Sequence, residues 1–452
     1  MSMKKLDKLY QLYLKQSSYR VAGNEWSKPL AFHVWLSQVL RKPDPENPKI
    51  TIPMTYLRAG REISIREHAF ICQGARSGKG ELMENTVDIL TEIAKRMGTP
   101  EVLAHYMHTE PTVQFLVGGN EDAGGKEAKK SGSKWRAVTG RFKMYSMIAW
   151  GEATAIVSPK STYGDFKHLI LAATDDSGRL SLTARKDLVK GDGEEGAIPS
   201  FETKCSVLTG SVYKDSFALE ILQSGLLQRF LFSYYVPSFE KNLSQLQELT
   251  RGLITEVGEG GEDAKEEFFN YFMENIHGRY VQEPVEWTAS GAETLGDLLT
   301  SVFMDPSYRG QKLDTFNSFA NATQKHIEKI ASAAAIVDGV GFVNHGHVEY
   351  AWKICKPVFY SYLKLLGAKF LPDLSEDDRI RFNVIKGIVS KEKEGILQKQ
   401  LLNKLRIAKK LSKWDLGESA SYNFIKELEK SGALQPRRAA GSKGKYYRVT
   451  PM

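Results

Sequence analysis

Residues 73–80 read Gln73-Gly74-Ala75-Arg76-Ser77-Gly78-Lys79-Gly80. They follow the apolar run Ala69-Phe70-Ile71-Cys72 and precede a helical pattern carried by Leu82, Met83, Val87, Ile89 and Leu90. Strand, glycine-rich loop, lysine and helix are the parts of a phosphate cradle. Backbone N–H groups and the helix N-terminus hold the phosphate oxygens while the lysine reaches the β and γ groups. The candidate nucleotide-binding residues are therefore Gly74, Ala75, Arg76, Ser77, Gly78, Lys79, Gly80 and Glu81. The match to G-x-x-x-x-G-K-[ST] is incomplete, because Gln73 replaces the first glycine and Gly80 stands where a Ser or Thr would hold Mg²⁺. Loops of this degenerate form also arise by chance.

Three downstream segments supply the rest of a nucleotide site. The apolar run Met144 to Trp150 leads into Gly151-Glu152-Ala153. In a Walker B strand an Asp helps to hold the metal and a Glu orients the attacking water. Glu152 fits the catalytic position, and Gly151 replaces the Asp. A further apolar strand, Cys205 to Gly210, ends at Thr209-Gly210-Ser211, which makes Thr209 and Ser211 candidate sensors of a γ-phosphate from a neighbouring strand tip. Ser224 to Phe230 then precedes the strand Leu231 to Val236 and contains Arg229. An arginine there reaches a phosphate bound by an adjacent subunit, as an arginine finger does; a structural ion pair is the alternative. The expected cofactors are ATP and Mg²⁺. Both metal-handling positions are glycine, and removing a single group that stabilises transition-state charge slows a reaction roughly 10²–10³-fold. Hydrolysis with metal held in another way (Glu81 is nearby) and binding without turnover both stay open.

The formal charge is +8, and from Arg379 onward 18 Lys and Arg face 6 Asp and Glu, so the preceding residues are net acidic. A basic C-terminal region on a mildly acidic body is the footprint of a module that meets phosphates; a solubilising tail is the bland alternative. Ile380, Phe382, Val384, Ile385, Ile388 and Val389 predict one amphipathic helix, and Leu397, Leu401, Leu402 and Leu405 a second after Gly395. A third runs from about Ser419 to Lys430, with Tyr422, Ile425 and Leu428 inward and Ser419, Ser421, Asn423 and Lys426 outward. Two short strands then flank a basic glycine-containing turn with Arg437, Arg438, Lys443 and Lys445. Glycine lets such a tip approach a sugar–phosphate backbone. Helix, helix, helix, strand, basic turn and strand resemble the winged helix-turn-helix family over residues 379–452. The resemblance implies a third helix in the major groove and a wing on the backbone. Some winged helices bind protein instead.

The order of the earlier pieces carries a second resemblance, over about residues 55–370. P-loop, Thr99 to Leu103 (TPEVL), Walker B-like strand, Gly164 to Phe166 (GDF), sensor-like strand and GLLQRF look like a domain of phage, plasmid and genomic-island proteins. That domain belongs with the replicative helicase and primase–helicase ATPases of the RecA-like and AAA+ type. A later helical stretch, Asn321 to Leu366, containing HIEKIASAAAI, fits the same pattern. The expected fold is α/β: a P-loop core with a central sheet over 51–245, a helical element over 1–50, a helical domain over 246–372 and the winged helix. Such a protein forms a ring, with a hexamer as the expected assembly, and acts as an ATP-driven DNA helicase or initiator of a mobile element. The alternative is the same fold with a decayed nucleotide site, serving as a DNA-binding or assembly factor. A transcription regulator with a nucleotide sensor is a third, weaker fit.

Either way the partner is DNA, duplex through the winged helix and single-stranded in a ring channel. Two basic loops are candidate channel contacts: Lys126, Lys129, Lys130 and Lys134 in one, Arg185, Lys186 and Lys190 in the other. Both also read as ordinary solvated insertions. Gly258 to Asp263 reads as a linker, and Asn344-His345-Gly346-His347 as a surface turn rather than a metal site. Three scattered cysteines form no framework, and no apolar run reaches membrane-spanning length. A cytoplasmic protein is the expectation.

Overall fold

In the computed structural model the described residues are 3–18, 27–74, 77–122, 135–153, 156, 164–180, 201–212, 225–234, 256–279, 283–304, 313–369, 376–392, 395–410, 414–430, 434–438 and 445–449. The chain divides into two compact units, Met1–Asp297 with Ser318–Ser361, and Leu298–Asn317 with Tyr362–Met452. Their principal elements are, in chain order, α1 (Lys4–Ser18), α2 (Lys28–Val39), β1 (Ala69–Gln73), α3 (Lys79–Met97), β2 (Ala104–Met107), β3 (Met147–Trp150), α4 (Gly164–Ala173), β4 (Ser206–Val212), β5 (Leu231–Tyr234), α5 (Glu256–Asn275), α6 (Ala289–Met304), α7 (Leu313–Asp338), α8 (His345–Lys369), α9 (Glu376–Val389), β6 (Ile396–Leu397), α10 (Gln398–Lys410), α11 (Glu418–Lys430), β7 (Leu434–Arg438) and β8 (Lys445–Val449).

The larger unit is mixed α/β, built on a five-stranded sheet of order β5-β1-β4-β3-β2 in which every pairing is parallel. All residues of β1 and β3 are buried. Parallel strands covered on both faces must read as continuous apolar runs, which is why these two were visible in sequence. The strand β2 at the sheet's edge is only partly buried and reads Ala-His-Tyr-Met. No apolar run announces it. Between β4 and β1 the backbones approach so closely that a Cβ on Gly210 would collide with the Ile71 carbonyl oxygen.

Helix α3 buries Leu82, Met83, Val87, Ile89, Leu90 and Ile93. It ends at Gly98, whose φ of 68° suits a left-handed cap. Helix α2 is buried along nearly its whole length, with Trp35 against Phe268 and Phe272 of α5. Residues 1–50, expected as a small helical element that packs or oligomerises, contribute α1 and α2, and α2 belongs to the core of this unit. Gly258 to Asp263, expected as a linker, lies within α5. His347 is not on the surface: it is buried, its Nδ1 accepts from the Asn344 N–H at 3.1 Å, and Asn344 Oδ1 accepts from Gly346 N–H.

In the smaller unit β6, β8 and β7 form an antiparallel sheet in that order, β6 being a strand the sequence pattern did not reveal. Phe382, Ile385 and Val389 of α9 meet Leu401, Leu405, Trp414, Phe424, Ile425, Leu428, Leu434 and Tyr447 in one apolar cluster. One inward and one outward assignment change. Tyr422 is 38% exposed, and Phe424 takes the buried place expected for it. Ser421 faces inward, its Oγ accepting from Trp414 Nε1 at 2.8 Å and donating to the Gly417 carbonyl at 2.7 Å. No described helix is long and apolar enough to cross a membrane.

Candidate functional site

Parallel strands place all their carboxyl ends along one edge, and that is where ligands meet open α/β sheets. At this edge β1 ends in Gln73 and α3 begins at Lys79, with Gly78 left-handed at φ 73° between them. Gln73 donates from Nε2 to Ser27 Oγ, tying the strand tip to the start of α2. This gives a physical role to a residue that departs from the P-loop pattern. Gly74 has open space around the position of a Cβ.

Lys79 is 7% exposed, and among the described residues no hydrogen bond or salt bridge meets its ammonium. Burial pushes its pKa below the ordinary lysine value, while Glu152, Cys72 and Glu81 act in the opposite sense. Those three side chains therefore lie within electrostatic reach of Lys79. Burial pushes the Cys72 thiol up to about 12, so it is not a thiolate. A buried cation without a partner is costly. Together with the N–H groups at the start of α3, it is chemistry suited to an anion.

Glu152 is exposed just beyond β3, and the loop carrying it is clamped where Ala153 N–H donates to the Gly210 carbonyl at 2.7 Å. Strand β4 lies between β1 and β3, as a sensor strand must. Thr209 is fully buried and donates to the Trp150 carbonyl at 3.0 Å, closing the end of β3. Ser211, paired with Cys72, stands nearer the edge and donates to the Val212 carbonyl at 3.1 Å.

The positions for metal are occupied by other chemistry. A Cβ on Gly80 would lie 3.2 Å from the Tyr106 hydroxyl, and one on Gly151 would lie 3.3 Å from the same oxygen. Among the described residues no three carboxylate, imidazole or thiol side chains converge to hold a metal. Mg²⁺, implied by the resemblance, does not fit this set of residues. Tyr106 carries no signal in the sequence because its strand is half-exposed and polar.

Arg229 lies at the opposite edge. It precedes β5, whose first residue pairs with Ala69 at the beginning of β1. Its guanidinium donates to the Gly225 carbonyl at 2.9 Å and pairs with Asp175 at 3.3 Å. Within one chain Arg229 therefore makes the ion pair and is remote from its own cradle. Nearby, Arg66 donates to four backbone carbonyls, of Thr203, Cys205, Ala173 and Asp175. Glu67 is paired with His326 at 2.8 Å, both buried.

In the smaller unit Ser419, Tyr422, Asn423 and Lys426 share the exposed face of α11, and Lys426 Nζ lies 4.9 Å from the Tyr422 ring centre. A cavity of about 180 Å³, lined in part by Arg406, Lys409, Trp414 and Glu418, opens between α10 and the start of α11. Arg437 and Arg438 end β7, Arg438 pairing in register with Lys445 of β8. Ala75, Arg76, Lys126, Lys129, Lys130, Lys134, Arg185, Lys186, Lys190 and Lys443 lie outside the described residues. No protein-family model matches this chain, and no curated protein matches it.

Proposed function

We propose that this is a nucleotide-binding protein that works on DNA, with the larger unit holding the nucleotide and the basic C-terminal unit docking on duplex. The observation that carries the first half is Lys79, a buried ammonium with no partner among the described residues, at a helix N-terminus on the carboxyl edge of a parallel sheet. Phosphate oxygens fit there, because the helix N-terminus and the ammonium both favour negative charge. The P-loop ATPase resemblance, with its replication proteins of phages, plasmids and genomic islands, names ATP as the nucleotide. The second half rests on the basic surplus after Arg379 and on the exposed face of α11, read as the recognition helix of a winged helix with β7 and β8 as its wing.

Of the two activities, binding without turnover has the stronger support, because both usual metal-handling positions, Gly80 and Gly151, lack a ligating side chain and face the Tyr106 hydroxyl. In this reading nucleotide binding adjusts the assembly of the protein on DNA. Glu152 favours the second reading, a ring-forming helicase. It lies near Lys79, where an attacking water is oriented, and Arg229 would act across a subunit boundary after leaving Asp175. Calorimetric titration of the full chain with ATP, wild type against Lys79→Ala, tests the proposal. Binding should be lost in the variant, and equal binding by both proteins would remove the nucleotide site. Steady-state hydrolysis with Mg²⁺, with and without DNA, separates the two activities, DNA-stimulated turnover favouring the motor.

A further inference from the structure

We infer that the Tyr106 hydroxyl takes the place of the divalent cation, so that this site binds the polyphosphate of a nucleotide without metal; the inference rests on the nucleotide reading of the Lys79 cradle. A serine hydroxyl is one bond from its Cβ and sits about 2.1 Å from a magnesium ion that it ligates. An ion held by a serine at position 80 would thus lie about 3 Å from that Cβ. The Tyr106 hydroxyl lies 3.2 Å from the Gly80 Cβ position. The same oxygen is 3.3 Å from the Cβ position of Gly151, where the other metal-handling side chain would start.

The three residues therefore make one replacement rather than two separate deletions. A Cβ at either glycine would make a tight contact with the tyrosine oxygen, which the absence of both side chains leaves free of crowding. A single glycine in place of a ligand reads as decay. Two glycines facing one hydroxyl read as a site rebuilt for different chemistry. A phenol donates one hydrogen bond to a phosphate oxygen and supplies no positive charge. Burial, with Glu84 and Glu81 nearby, raises the Tyr106 pKa, so the hydroxyl keeps its proton as a donor. Lys79 then remains the cation at the phosphates. Among the described residues no three carboxylate, imidazole or thiol side chains gather into a metal site that would replace the two missing ligands.

The test is calorimetric titration of the full-length protein with ATP in excess Mg²⁺ and again in excess EDTA. Wild type should bind ATP in EDTA with an affinity within about threefold of that in Mg²⁺, a difference small on the affinity scale. Tyr106→Phe should weaken binding in EDTA by about tenfold or more, the effect of one hydrogen bond to a charged group. The triple variant Gly80→Ser, Gly151→Asp, Tyr106→Ala should bind ATP in Mg²⁺ better than in EDTA. Wild-type binding confined to Mg²⁺ would overturn the inference while leaving the nucleotide site in place. So would equal affinities for wild type and Tyr106→Phe in EDTA. No wild-type binding under either condition, with Lys79→Ala indistinguishable from wild type, would overturn the nucleotide reading and this inference together.

Discussion

The two edges of the central sheet treat buried charge in opposite ways. At the amino edge Arg66 is spread over four carbonyls, Glu67 meets His326, Asp176 meets Lys325 and Lys329, and Arg229 meets Asp175. At the carboxyl edge Lys79 is 7% exposed and makes no hydrogen bond or salt bridge among the described residues, with Glu152 and Glu81 acting on its charge from further away. Desolvating a charge is expensive, and a fold that compensates it internally is using it as architecture. A fold that leaves a charge without a direct partner keeps it available for an anion, which is the premise of the proposed nucleotide site. Residue type alone does not separate these cases, since both edges are rich in Lys, Arg and Glu. Partner geometry does.

The largest effect to expect from this contrast is at Arg66. Arg66→Met leaves buried carbonyls without their donor and should destabilise the protein by about 3–5 kcal/mol, the range for removing one side of a buried charged interaction. Denaturant unfolding measures it. A loss below about 1 kcal/mol, the size of an ordinary surface effect, would mean that the amino edge is not held together as argued.

Lys79→Met should act with the opposite sign on the free protein. Removing a largely buried ammonium that no hydrogen bond or salt bridge holds among the described residues should leave stability unchanged or raise it by about 1 kcal/mol. ATP affinity should meanwhile fall on the order of 100-fold, the value of charge-assisted contacts to phosphate. If Lys79→Met instead destabilises the apo protein as Arg66→Met does, the lysine has a structural partner and the contrast between the edges collapses.

These two positions also show what the sequence made legible. The strands β1 and β3 were recognisable because burial on both faces forces apolar runs, β4 and β5 because enough of their buried residues are apolar despite Ser and Thr among them, and α3 because its buried residues recur at helical spacing. The cradle followed from the order of those parts. Tyr106 did not, because β2 is an edge strand whose half-exposed residues carry no run, and because its role depends on a distance to two glycines far away in sequence. Arg229 was identified as a candidate by its position before a strand, yet only the fold shows that this position is the far edge, beside Asp175. Gly258 to Asp263 misleads for a related reason: glycine composition argues for a linker, but neighbouring residues such as Phe268, Phe269 and Phe272 bury one face and carry the helix through. In the smaller unit the three helices and the terminal strands were readable, while the two-residue β6 was too short to leave a pattern. Ser421 was placed outward because serine is polar; its neighbour Trp414 needed an acceptor for a buried indole N–H.

The C-terminal unit supplies a third condition, charge that is exposed. Lys426 is in water, so the lack of an ion-pair partner costs little and by itself indicates nothing about a ligand. Its interest comes from its place on the exposed face of α11 with Ser419, Tyr422 and Asn423, in a unit whose sequence carries a basic surplus. Lys426→Ala in the full chain should weaken binding to duplex DNA several-fold, uniformly across sequences, and lower the slope of log affinity against log salt by about one. Asn423→Ala, on the same face, should change preference among sequences more than the salt slope. Fluorescence anisotropy at several salt concentrations reads both. Unchanged affinity and slope for the two variants would place the DNA contact elsewhere.

The smallest effect concerns how completely the amino edge is paired. Burial alone would raise the pKa of Asp176, but Lys329 at 3.0 Å and Lys325 at 3.1 Å outweigh it and hold the carboxyl well below the usual carboxylate range. A carboxylate depressed in the folded state stabilises the fold above the unfolded value, about 3.9 for Asp. That contribution is lost as pH falls through and below that value. Asp176→Asn should therefore be less stable than wild type at neutral pH by about 1–2 kcal/mol, with the gap narrowing steadily below about pH 4. A gap that stays constant under acid conditions would show that the aspartate contributes packing or hydrogen bonding rather than charge. The amino edge would then be held by its carbonyl contacts, and the contrast with Lys79 would rest on Arg66 and Glu67 alone.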